Sequence, residues 1–131
     1  MKNKDIITLG NAGFFQAKAH SLPVAHFYKF LKFKRNLQKA YYEISKTQED
    51  FMKEAGITRK DLMGGKDVDQ DAIERYFALN GQLIAEDTVV FAVKIPFELY
   101  KGIYDENGAL FENPAVEEII LNNLFAEPTD D

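Results

Sequence analysis

The chain contains no cysteine and no tryptophan among its 131 residues. Without a thiol there is no disulfide scaffold, no iron–sulfur cluster, no cysteine nucleophile and no cysteine-based zinc site. Histidine is scarce: His20 and His26 stand six residues apart, in neither an HxxxH nor an HExxH pattern. Serine is confined to Ser21 and Ser45, and no G-x-S-x-G turn surrounds either. Gly64-Gly65-Lys66 lacks the first glycine of a P-loop and the Ser or Thr that follows its lysine. Gly10-x-x-Gly13 lacks the rest of a dinucleotide fingerprint. No run approaches the ~18 apolar residues of a membrane span. Gly10, Asn11 and Gly13 interrupt the apolar stretch near the N-terminus, so no secretory leader is read. These absences lead to the expectation of a soluble, cytoplasmic, non-enzymatic protein with no cofactor and no metal.

What is present predicts a packed core and an uneven charge. Hydrophobic residues make up 46% of the chain, with 11 Phe and 6 Tyr. A chain of this size buries roughly two-thirds of the surface that its unfolded form exposes. The length fits a single domain over 1–131, with a polar tail at about 127–131. The net charge is −5, yet residues 1–60 carry twelve Lys and Arg against five acids, and residues 61–131 carry four against sixteen. A half at +7 and a half at −12 suit contact between the halves, contact between chains, or contact with nucleic acid. Asp67, Asp69 and Asp71 alternate as at the opening of a calcium loop, but Ala72 and Ala78 stand where the EF-hand needs Gly and Glu. The three acids are therefore read as capping and first-turn charges of a helix.

The clearest pattern is a helix over 23–55. Phe30, Phe33, Leu37, Ala40/Tyr41, Ile44, Phe51/Met52 and Ala55 recur at steps of three and four. Ser21 is its expected N-cap and Gly56 its expected stop. Such a helix is about 45 Å long at ~1.5 Å per residue, so it needs cover along its length from this chain or another. Val24, Phe27, Leu31 and Tyr42 lie off the stripe and predict burial of its early part on more than one side. Thr58 with Asp61 predicts a capped single turn. Asp69 or Asp71 caps a second helix over 70–85, with a hairpin at Asn80-Gly81 as the alternative for 80–84. Residues 88–95 are β-branched and aromatic and read as a strand that Pro96 ends. A helical turn over 97–103, a turn at 105–108 and a short strand at 109–111 follow. Asn113-Pro114 then opens a last helix to about 125. At the N-terminus, 5–9 reads as a strand or a first helical turn, and 11–19 as a helix. The expected fold class is α+β, mostly helical: the long helix packs against the 70–85 and 114–125 helices, with a small β element on 88–95.

The candidate site is the basic side of the long helix. Lys29, Lys32, Arg35 and Lys39 share one helical sector with Tyr28, and no acid occurs between His26 and Tyr42. Such a face suits a partner protein, or a second copy in a homodimer that brings its own acidic half. The alternative partner is nucleic acid, with phosphates on the bases and nucleobases stacked on tyrosine. No membrane partner is expected.

The run Leu22-Pro23-Val24, then Tyr28-Lys29, Leu31-Lys32, Lys34, Leu37, Glu43 and Phe51, ending in Glu54-Ala55-Gly56, resembles a family of small proteins encoded by tailed phages and prophages. The stretch from Phe77 to Pro96-Phe97-Glu98 and the acidic helix from Pro114 to Phe125 are similar to that family's later parts. The resemblance implies a short N-terminal helix, a long Lys-rich helix, then a helix, an apolar strand and a short acidic C-terminal helix. That family has no assigned activity, so the resemblance implies an accessory or assembly role and carries over no catalytic residue.

Overall fold

The computed structural model describes residues 1–64, 69–90 and 94–126. Six α-helices are found among them: α1 (Asn3–Asn11), α2 (Val24–Ala55), α3 (Arg59–Leu62), α4 (Gln70–Ala85), α5 (Tyr100–Asn107) and α6 (Pro114–Asn123). Short 3-10 turns lie at Phe14–Gln16, Phe97–Leu99 and Gly108–Leu110.

Helix α2 forms as its periodicity predicts. Phe30, Phe33, Leu37, Ala40, Ile44, Met52 and Ala55 are its buried residues. Gly56 follows in left-handed backbone at φ 76°, a conformation that costs glycine nothing and stops the helix. The other end differs from expectation. Pro23, not Ser21, precedes the first turn and offers no side-chain cap, while the Ser21 hydroxyl donates to Glu106 at 2.8 Å. Val24 and Tyr42 are exposed, and Phe27 and Leu31 only partly buried. The early part of α2 is thus not wrapped on more than one side.

The N-terminal helix is displaced from its predicted place. It covers Asn3–Asn11, whereas 11–19 passes through a 3-10 turn into irregular chain. Asn3, Ile6 and Leu9 form its buried stripe. Gly10 is where α1 meets α2: an added Cβ would lie 2.3 Å from the Tyr41 ring. Gly13, at φ 89°, turns the chain away. Helix α1 packs against α2, α4 and α6. Helices α1 and α4 are therefore the main neighbours of α2, and α6 rests on α1 rather than along α2.

Two apolar clusters line α2. The larger joins α1, the first two-thirds of α2, α5 and α6, with Phe14 edge-on to Phe30 and Phe33 at 6.0 and 6.1 Å. The smaller holds Met52, Ala55, Ile57, Ala72 and Tyr76. It places the far end of α2 against α4, so the chain covers the inner side of its own long helix.

Helix α4 runs through Asn80-Gly81, so the hairpin does not form. Asp69 is its N-cap, accepting from the N–H groups of Asp71 and Ala72. Thr58 and Asp61 form the reciprocal capping box of α3. Asn113 caps α6, with Pro114 in the first turn. The expected β element is absent: no strand or sheet occurs among the described residues. Residues 88–90 are irregular, and 91–93 of the expected strand lie outside the described residues. What pairs is two isolated bridges: Lys2 with Asp87, antiparallel, beside a bond from Thr88 N–H to Met1 O at 2.8 Å, and Ile95 with Phe125, parallel, through Ile95 N–H to Leu124 O and Ala126 N–H to Ile95 O, both 2.8 Å. Among the described residues each bridge is one residue long, so strand propensity finds no extended edge there. Residues 105–107 close α5 instead of forming a turn, and 108–110 is a 3-10 turn instead of a strand.

Candidate functional site

Three of the four predicted basic residues share the outward side of α2. Lys32, Arg35 and Lys39 are exposed, whereas Lys29 is partly buried at the edge of the core. Their face continues in both directions. Steps of three and four from Tyr28 through Lys32, Arg35, Lys39, Tyr42, Lys46 and Glu49 to Lys53 meet only exposed residues. That stripe spans about 38 Å at ~1.5 Å per residue. Tyr28 and Tyr42 are 62% and 65% exposed, so both rings offer apolar surface between the charges. Glu49, the one acid on the stripe, pairs with Arg59 at 3.2 Å, which leaves the stripe strongly positive.

Not every base of this region serves that face. Lys34 turns inward: its ammonium donates to the Ala17 carbonyl at 3.2 Å and lies 5.9 Å from the Phe30 ring centre. The two ion pairs seen among the described residues, Arg59–Glu49 and Lys101–Asp105, each join groups of the same half of the chain. Other hydrogen bonds join the halves, among them the N-terminal ammonium of Met1 donating to the Thr88 carbonyl at 3.0 Å. Glu106 accepts from the His20 and Ser21 N–H groups at 2.8 and 3.0 Å and from the Ser21 hydroxyl. Asn107 donates to the Lys18 carbonyl and accepts from its N–H.

His20 is exposed and stacks on Phe27, while His26 is partly buried on α2. Of the alternating aspartates, Asp67 lies outside the described residues and Asp69 is engaged as the cap of α4. Among the described residues no three His, Asp or Glu side chains gather where a metal ion would sit. No helix of the described residues is long and apolar enough to cross a membrane.

A second feature escaped the sequence reading. Where α1, α2, α3 and α4 meet, a cleft of about 300 Å³ opens beside Asn11, Ser45, Gln48, Arg59 and Tyr76. Its lining comes from four separate elements, so no local spacing marks it. Tyr76, a core residue by periodicity, is 6% exposed. Burial pushes its phenol above its ordinary pKa, against a smaller downward pull from Arg59, so it is a neutral O–H donor at physiological pH.

The chain matches no protein-family model, no curated protein and no solved structure.

Proposed function

We propose that this chain is a non-enzymatic interaction protein of the accessory or assembly kind, acting in the cytoplasm through the outward face of α2. Its partner is an acidic protein surface, and a second copy in a homodimer is the one that the chain itself supplies. One observation carries this reading. The inner stripe of α2 is covered by the chain's own α1 and α4, while the outward stripe from Tyr28 to Lys53 is exposed and basic. A charged, tyrosine-bearing helix face suits contact with an acidic surface, and the +7 and −12 halves make two copies mutually complementary. Closed two-fold dimers are the commonest symmetric arrangement. The likeness of the Leu22-Pro23-Val24 lead-in to that of phage-encoded proteins supports the accessory role.

Light scattering tests it at several protein concentrations, in low salt and in high salt. A dimer that weakens as salt rises is expected. A strict monomer at ~100 µM in low salt, where charge attraction is least screened, sinks the homodimer.

A second reading is favoured by the two exposed tyrosines. Nucleic acid would use Arg35, Lys39 and Lys46 for phosphates and Tyr28 and Tyr42 for stacked bases. A gel shift with single-stranded DNA, repeated at rising salt, separates it from the first: only this reading predicts a salt-sensitive shift.

A further inference from the structure

The cleft between α1, α2, α3 and α4 is unlike the rest of the core in what it offers. Tyr76 is 94% buried by its 6% exposure, yet its hydroxyl makes no hydrogen bond with any described residue. The Ser45 hydroxyl, beside the same cleft, makes none either. Neither oxygen is sealed in the core, so both open to the cleft and remain free to bond a ligand. Asn11 accepts from the Tyr41 hydroxyl at 2.7 Å through its carbonyl oxygen, so its amide N–H groups remain to donate. Arg59 reaches the cleft while holding Glu49 at 3.2 Å, with 73% of its side chain exposed. A surface pair of this kind is held weakly, and the guanidinium has N–H groups beyond the one that Glu49 uses. Ile7, Met52 and Leu62 supply apolar wall, and no carboxylate lines the cavity.

Donors, one cation and an apolar wall together select the ligand. We propose that the cleft binds a small organic carboxylate with a compact apolar body, its oxygens facing Tyr76, Ser45 and Arg59 and its body against Met52 and Leu62. A cleft of about 300 Å³ stands at the lower end of small-molecule sites, so the ligand is about the size of a benzoate. Both hydroxyls are neutral donors, which an anion can use without displacing a proton. The site lies on the inner side of α2 and meets the outward basic face only through Arg59, which holds Glu49 there.

The test uses 4-fluorobenzoate as the probe, followed by its own fluorine resonance as it is titrated against the full chain. With about ten non-hydrogen atoms, it is expected to bind saturably with a Kd on the order of 1 mM. Tyr76→Phe keeps the ring in the core and removes only the hydroxyl, and Arg59→Gln changes an exposed side chain. Each is expected to weaken binding about fivefold or more while the melting temperature stays near that of the parent. The neutral analogue 4-fluorobenzyl alcohol is expected to bind at least as weakly as the carboxylate does in Arg59→Gln. No saturation by ~10 mM, ten times the expected Kd, overturns the proposal. Equal affinity of the parent and both variants, or of the alcohol and the carboxylate, overturns it too.

Discussion

At Gly10 the ordinary preference of a helix is reversed. Alanine in a helix interior is worth ~1 kcal/mol more than glycine, but a Cβ here would lie 2.3 Å from the Tyr41 ring. That ring cannot yield freely, because it packs edge-on to Phe15 at 5.3 Å and its hydroxyl donates to Asn11. Gly10→Ala is therefore expected to destabilise by about 1–3 kcal/mol, as overpacking does, in urea unfolding. A more stable variant would show that α1 and α2 have slack between them. Asn3 is the chain's buried polar side chain among the described residues. It donates to the Leu83 carbonyl at 2.8 Å and accepts from the Thr88 hydroxyl, completing a helix end that no glycine stops. Glu106 does similar work at the other side of the core. Burial pushes its pKa up, but the hydrogen bonds from Ser21 and His20 and the charge of His20 outweigh this, and the net shift is below the ordinary 4.5. A depressed carboxylate stabilises fully above its unfolded pKa and loses that contribution as pH falls through its folded one. The stability gap between the parent and Glu106→Gln should thus be flat above about pH 5 and shrink below about pH 4.5. A gap that widens in acid would contradict the clasp.

Elements that carry their own instructions were legible, and those that depend on a distant neighbour were not. Helices α2, α4 and α6 declare themselves through apolar steps of three and four and through Asp69, Asn113 and Gly56 at their ends. Helix α1 was obscured because Gly10 argues against a helix locally, and its reason, the Tyr41 ring, lies 31 residues away. The 88–95 segment has strand composition, but among its described residues only Ile95 forms a bridge, to Phe125, and no ladder extends from it. The basic face was legible because one helix carries all of it, save that Lys29 sits nearer the core than its sector implied. The cleft was not legible, since Asn11, Ser45, Arg59 and Tyr76 meet only after four helices have packed. The inner and outer sides of α2 make a matched test. Leu37 is fully buried and Arg35 exposed. Leu37→Asp strands an unpaired charge in the core at a cost of several kcal/mol, comparable to the whole stability of a domain. Arg35→Asp should stay within about 1 kcal/mol of the parent. Circular dichroism melts of the two decide it: an unaltered melt for Leu37→Asp would mean that the helix faces the other way.

At the scale of the molecule, charge and cover point to one side of α2. The smaller apolar cluster shows that the far end of α2 rests on α4, so the length of the helix alone demands no second copy. What remains for a partner is the outward stripe, with Arg35, Lys39 and Lys46 at its middle. Reversing these three to glutamate changes the formal charge of the stripe by six while touching nothing in the core. The triple variant is expected to fold, because isolated surface substitutions usually move stability by less than about 0.5 kcal/mol each. It is also expected to lose the salt-sensitive dimer at every concentration at which the parent forms one. If nucleic acid is the partner instead, the parent shifts single-stranded DNA, and the variant's salt slope falls by roughly 0.7 per lost phosphate contact, about 2 in all. The two outcomes are read on the same two proteins, by scattering and by gel shift. A triple variant that dimerises as the parent does would remove the outward face of α2 from the dimer contact, because no acidic partner surface would accept three charges of its own sign in place of three opposite ones.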